Sequence, residues 1–142
     1  MLGERYSVGV SDPTKSLAAE VSSRVTGLVA LYLFGSRARG DAGPDSDIDL
    51  ALLAERKLDP VERWKLQEDM AALAHVRVDL VDLRQASTVM RVQVLRDGVL
   101  LVDADPSRRQ AFEAIALSAY AHLNEERREI LNDIARRGSI HG

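Results

Sequence analysis

The chain has 142 residues, 46% of them hydrophobic and 29% charged, a length and balance that suit one folded soluble unit and exclude a disordered or membrane-embedded chain. A formal net charge of −3 excludes a strong sequence-independent grip on nucleic-acid backbones, and the lack of any cysteine excludes disulfides, thiolate catalysis and Cys-ligated zinc. No apolar run approaches the roughly 18 residues a membrane span needs, and the start, MLGERYSVGV, lacks a signal peptide's basic region and apolar core, so a cytoplasmic protein is expected.

In chain order, Ser11-Asp12-Pro13 offers a cap and a first-turn proline for a helix from Thr14 to about Val25, ended near Gly27. Leu28 to Phe34 (LVALYLF) is almost wholly apolar, the pattern of a strand buried on both faces, and Gly35 stops it. SRARGDAGPDSD begins as a helical turn and becomes a loop at Gly43-Pro44, before a second strand from Ile48 to Leu53. Asp59-Pro60 opens a helix to about His75, with Val61, Trp64, Leu66, Met70, Leu73 and Ala74 expected on its apolar side and Trp64 in the core or at its rim. Val76 to Val81 reads as a third strand, Gln85 to Arg96 as a short helix stopped by Asp97-Gly98, and Val99 to Val102 as a fourth strand.

Pro106 to about Arg137 forms a long helix with Phe112, Ile115, Ala119, Leu123, Ile130 and Ile134 at helical spacing. Some thirty residues at 1.5 Å each span about 45 Å, longer than a domain of this size is wide, so part of the helix needs a second surface. Helices and strands alternate without repeats. The expected fold is α+β (mixed α/β), with a mixed sheet of about four strands packed by helices. One domain is expected over residues 1–142, with its core at about 12–103 and the long C-terminal helix at about 106–137.

The residues that carry chemistry are concentrated. Residues two apart on a strand share a face, so Asp47 and Asp49 place two carboxylates side by side where the second strand begins. Their mutual repulsion is a cost that a bound divalent cation removes. Asp79, alternating with Val78 and Leu80, can present a third carboxylate from a neighbouring strand, with Asp82 as its rival. Three such groups suit two-metal phosphoryl transfer, with Asp79 as base or metal ligand for the nucleophile. Gly35 and Ser36 stand where a buried strand gives way to a turn and can meet phosphate oxygens, while Arg37 and Arg39 are candidates to neutralise phosphate charge, Arg39 the stronger because Arg37 can point to solvent.

GSRARG followed by DSDIDL resembles the signature of the small MNT-type nucleotidyltransferases of the polymerase-β superfamily. The resemblance implies a minimal polymerase-β-like palm. It implies that Gly35 and Ser36 bind NTP phosphates, that Asp47 and Asp49 bind metal, taken as two Mg²⁺ ions, and that Asp79 completes the triad. Family members act as antitoxins beside a HEPN-domain RNase toxin, some by transferring AMP from ATP to a toxin tyrosine, which makes such a toxin the implied partner.

Two other functions stay open at this level: AMP transfer to a small hydroxyl compound, and a steric antitoxin that keeps the nucleotide site as an accessory. Template-dependent polymerisation lacks a fingers domain, a thumb domain and a basic channel. His75, His122 and His141 form no ligand pair, and Tyr120 precedes His122 where the HEPN RNase motif has the reverse order. Glu125 to Glu129 and Arg136-Arg137 read as a solvated helix face.

Overall fold

The central strand β1 (Leu28–Phe34) is buried along its five inner residues, as an apolar, β-branched and aromatic run between two covered faces must be. In this computed structural model, which describes residues 13–141 and side chains to residue 137, β1 pairs antiparallel with β2 (Ile48–Ala54) and with β4 (Val99–Asp103). Strand β3 (Val78–Asp82) pairs parallel with β2, giving the sheet order β3-β2-β1-β4. The mixed four-stranded sheet and the α+β class are those expected. Alternation sorts the strands into two faces. Leu31, Leu33, Ile48, Leu50, Leu52, Val78 and Leu80 pack with Leu17 and Val21 of α1 (Thr14–Arg24) and with Leu66 and Met70 further along. Tyr32, Ala51, Leu53 and Leu100 line the other face, with Val94 and Phe112 packed on it.

Between the strands lie α2 (Ser36–Arg39), α3 (Pro60–Ala74) and α4 (Thr88–Asp97), and α5 (Pro106–His141) follows β4. The expected cap at Ser11 and Asp12 lies outside the described residues. For α3 the expected signal works as read: the Asp59 carboxylate accepts the N–H groups of Val61 and Glu62, and Pro60 occupies the first turn. Its apolar side is narrower than expected. Leu66 and Met70 are fully buried, whereas Trp64 is 55% and Val61 58% exposed. Trp64 lies about 200° around the helix from Leu66 and cannot share its face. Strand β3 starts at Val78, not Val76, because His75 caps α3 in the left-handed region (φ 58°) and the chain needs two more residues to turn. Helix α4 starts at Thr88, where the Ser87 hydroxyl accepts the Met90 N–H at 3.1 Å; Gln85 is used instead in a turn on Asp82.

Strand β3 is an edge strand, and α3 blunts it. Gln67 accepts the Leu80 N–H at 2.9 Å and Arg63 donates to the Leu80 carbonyl at 3.0 Å, occupying groups that could otherwise template another chain.

The start of α5 is tied to the sheet by a chain of charges. Arg109 donates to both oxygens of Asp103, at 2.8 and 3.2 Å, and to Glu113 at 3.0 Å; Glu113 in turn accepts the Tyr32 hydroxyl at 2.8 Å. Burial, then the bond to Glu113, pushes the Tyr32 phenol well above its ordinary range, and the bond to Asp103 raises the Arg109 guanidinium, so both keep their protons. Phe112 meets the Arg84 and Arg91 guanidinium groups, whose carbons lie 5.8 and 5.1 Å from its ring centre.

These contacts also set the direction of α5. Asp103 lies opposite Ala30 and Leu100 opposite Tyr32, so passing from Arg109 to Glu113 carries the helix along β1 toward Phe34. Gly35 stands about 10 Å beyond Tyr32 at strand rise, a distance α5 covers in about seven residues. The remainder projects past that end of the sheet. Among the described side chains Ala116 is the last buried one on α5, and Ile130, Leu131 and Ile134 are 58%, 63% and 56% exposed. Among the described residues no helix is long and apolar enough to cross a membrane.

Removing the Tyr32 hydroxyl takes a buried donor from a charged acceptor, so Tyr32→Phe is expected to cost about 1.5–3 kcal/mol in urea denaturation. Ile130→Gln, on the exposed projection, is expected to stay within about 0.5 kcal/mol of the parent.

Candidate active site

At the end of β1 the chain turns sharply through Gly35, whose φ of 76° and ψ of −156° lie where L side chains are strained. The turn also brings the backbone against the next strand: a Cβ at Gly35 would collide with the Asp49 carboxylate. Ser36 opens α2, so first-turn N–H groups and a hydroxyl stand at the strand end beside Asp49. Glycine is required here on two counts, conformation and clearance.

Register brings the carboxylates together. Phe34 lies opposite Asp49 in the antiparallel pair, and Asp49 lies opposite Asp79 in the parallel pair. Partners at one register position share a sheet face, and Asp47 precedes Asp49 by two. Asp49 and Asp79 therefore stand on the face that carries Tyr32 and α5, and Asp47, just ahead of the strand, lies near enough to act on the Asp49 charge. Their proximity is felt electrostatically: the Asp49 carboxyl is pushed above its usual range, first by burial and then by the charges of Asp79 and Asp47. Arg39 and Arg77 oppose that shift.

Asp82 is excluded as the third carboxylate. It alternates with Asp79 onto the opposite face, lies opposite Leu52 and is 3% exposed. Its oxygens accept the N–H groups of Leu58 and Arg84 and the amide of Gln85, so it fastens the loop after β2 to the turn after β3.

Two arginines depart from expectation. The Arg37 side chain does not extend into solvent: it donates to the Ser46 carbonyl from Nε at 3.2 Å and from Nη2 at 2.8 Å, and to the Pro44 carbonyl at 3.1 Å. Its place is against the loop that leads to Asp47. Arg77 was not singled out by motif reading. Alternation through Arg77 and Asp79 carries the signal for it, since it places this cation on the carboxylate face, and its carbonyl accepts the Ile48 N–H at 2.9 Å. Arg39 is half exposed, 3.5 Å from Asp41, and near enough to Asp49 to act on its charge.

The donor set is hard oxygen on one face, of the kind divalent magnesium prefers. Among the described residues no three acidic or histidine side chains converge tightly enough to form a ready-made cage. Like charge opposes closer approach, and Asp47, exposed and ahead of the first ladder residue of β2, is free of the constraint that holds the other two.

A carboxyl whose folded pKa is raised stabilises the fold below its unfolded pKa, and that contribution is lost as pH rises through the folded value. Ionised Asp49 is thus a liability above its folded pKa, and Asp49→Asn is expected to raise the melting temperature there. Asp82→Ala should act the opposite way, at about 1–3 kcal/mol of lost stability, since it orphans buried donors. Gly35→Ala is expected to cost about 1–3 kcal/mol from the strained φ alone and to weaken nucleotide binding as the Asp49 carboxylate is displaced, both measurable by calorimetry.

Comparison with known proteins identifies the family. Residues 18–107 match the family model "Polymerase beta, Nucleotidyltransferase". The chain is 41% identical over 107 residues to protein adenylyltransferase MntA of Shewanella oneidensis, covering 75% of this chain and 76% of that protein. It is similar to a chain in a crystal structure of a toxin–antitoxin with AMP-PNP, at 36% identity and a TM-score of 0.75, covering 84% of this chain and 97% of the other. It is similar also to a chain in the structure of a tri-AMPylated Shewanella oneidensis HEPN toxin in complex with MNT antitoxin, at 32% identity and a TM-score of 0.70 over 94% and 98%. The sheet end built from Gly35, Asp49 and Asp79 thus lies within a matched segment spanning more than half of the chain, which belongs to the polymerase β nucleotidyltransferase family.

Proposed function

We propose that this protein is an adenylyltransferase that moves AMP from ATP to a hydroxyl, most simply a tyrosine, of a HEPN-domain toxin, and so serves as that toxin's antitoxin. The observation that carries the chemistry is the register pair Asp49–Asp79 beside the Gly35 turn. Two relatives support the substrate and the partner: one is named a protein adenylyltransferase, and another is an antitoxin in complex with an AMPylated HEPN toxin.

In this reading Gly35 and Ser36 admit the triphosphate at the strand end and Arg39 offsets its charge. Asp47 and Asp49, joined by Asp79, hold Mg²⁺, taken as two ions, which when bound supplies charge neutralisation for the phosphoryl group and the departing pyrophosphate. Asp79, on the side of Asp49 away from the Gly35 turn, accepts the proton of the incoming hydroxyl. The hydroxyl oxygen forms a bond to the α-phosphorus as the bond to pyrophosphate breaks. Arg77, two residues before Asp79 on the same face, flanks the acceptor side.

The acceptor is a protein because of where α5 goes. It runs along the carboxylate face and projects past the catalytic end with Ile130, Leu131 and Ile134 exposed, a rail on which a partner can present its hydroxyl to the site. A small-molecule acceptor would leave that projection without a use.

The test is transfer of label from α-labelled ATP, with Mg²⁺, to a purified HEPN partner. Label is expected on a partner tyrosine, and Asp47→Asn with Asp49→Asn should reduce it by more than the roughly 100-fold that loss of a mere outer-shell metal partner can cost. Neutralisation of the toxin by that double variant, with no label on any protein, would replace the enzyme by a steric blocker.

A further inference from the structure

We propose that Arg37 is a positioning residue for the metal carboxylate Asp47, acting through the loop at residues 43–46 and not by touching the nucleotide. The inference rests on the proposed role of Asp47 as a metal ligand. Asp49 and Asp79 lie inside strands, where ladder hydrogen bonds set their backbones, but Asp47 precedes the first residue of β2 and its side chain is exposed. Its direction is therefore set by what holds the chain on either side.

Downstream, the Ile48 N–H donates to the Arg77 carbonyl at 2.9 Å, which fastens the chain to the start of β3. Upstream, the fastening is Arg37. Its guanidinium bridges two carbonyls of the loop, Pro44 at 3.1 Å and Ser46 at 2.8 and 3.2 Å, and Ser46 is the residue immediately before Asp47. The loop closes on itself around the same point: the Gly43 N–H donates to the Ser46 hydroxyl at 2.9 Å, and the Ser46 N–H donates to the Gly43 carbonyl at 3.2 Å. The stretch Gly40-Asp41-Ala42-Gly43 carries two glycines and little bulk, so it has no packing of its own to replace that tether.

The planar fork matters as well as the charge. Two carbonyls held by two nitrogens of one rigid group fix both distance and angle, which a lysine ammonium on a flexible stem does not. Because Arg37 belongs to α2, the turn that admits the phosphates, it couples the phosphate side of the site to the metal side: moving α2 moves Asp47.

The experiment compares Arg37→Ala, Arg37→Lys, Ser46→Ala and Asp47→Asn, each checked for folding by circular dichroism, with Ser46→Ala as the milder lesion. Three readouts are used. They are Mn²⁺ binding by electron paramagnetic resonance, amide exchange at residues 45–48 in the nucleotide-free protein, and transfer kinetics with the partner. Arg37→Ala is expected to weaken Mn²⁺ binding and lower kcat each by about ten- to a hundredfold, the range for residues that orient metal ligands. It should change the KM for ATP less than about threefold and speed exchange at residues 45–48. Arg37→Lys should fail to rescue, Ser46→Ala should shift the same quantities in the same direction, and Arg37→Ala should add nothing to Asp47→Asn.

A raised KM for ATP with intact Mn²⁺ binding would make Arg37 a phosphate ligand and overturn the proposal. Full function of Arg37→Lys, or an unchanged Arg37→Ala, would overturn it too. If Asp47→Asn itself leaves Mn²⁺ binding and transfer intact, the reading of the site falls with it; if Asp47→Asn abolishes both while Arg37→Ala does not, only the positioning role is lost.

Discussion

The parallel pairing of β2 with β3, with Asp49 opposite Asp79, is the constraint on which the site depends. A slip of one residue would turn Asp79 to the far face and bring Leu80 to the carboxylate side, because the side-chain period of a strand is two. The register is enforced from the apolar face: Ile48, Leu50, Val78 and Leu80 are all buried in one cluster with α1 and α3, and a one-residue slip would turn Asp79 into it. The hydrophobic core thus supplies the free energy that holds two like charges together. The rise in the Asp49 pKa reflects that opposition, with burial and two neighbouring carboxylates working against ionisation. Stability given up at such a point is common where a protein must bind a counter-charge.

The arginines around the carboxylates divide the work by position. Arg39 and Arg77 lie near enough to Asp49 to moderate its charge, one from the α2 side and one from β3. Arg37 is bonded to loop carbonyls, and Arg109 is bonded to Asp103 and Glu113 on α5. The Arg109 chain matters for a different reason. It fixes the start of α5 against β1 and β4, and since a long helix is stiff, fixing its start aims its far end past the Gly35 end of the sheet. The edge strand β3 is sealed by Gln67 and Arg63, which occupy the Leu80 backbone groups.

The element order, the four strands, the long C-terminal helix and the carboxylate face were all legible in the sequence, because each rests on local rules. LVALYLF is almost wholly apolar, Asp59 caps a helix by its own side chain, and residues two apart on a strand face one way whatever surrounds them. Those rules placed Asp47 and Asp49 on one face before any contact was known and offered Asp79, with Asp82 as its rival, for a third carboxylate, and the GSRARG and DSDIDL motifs pointed to nucleotidyl transfer. The tertiary structure alone decided between Asp79 and Asp82, because strand alternation in isolation does not say which strand is the neighbour or in what register. It decided too that Trp64 faces solvent, since only packing shows how much of α3 the sheet covers, and that Arg37 turns to the Pro44 and Ser46 carbonyls, partners seven and nine residues along whose approach depends on how the loop folds. Local periodicity determines which side of an element a residue takes; which groups meet it there is set by nonlocal packing.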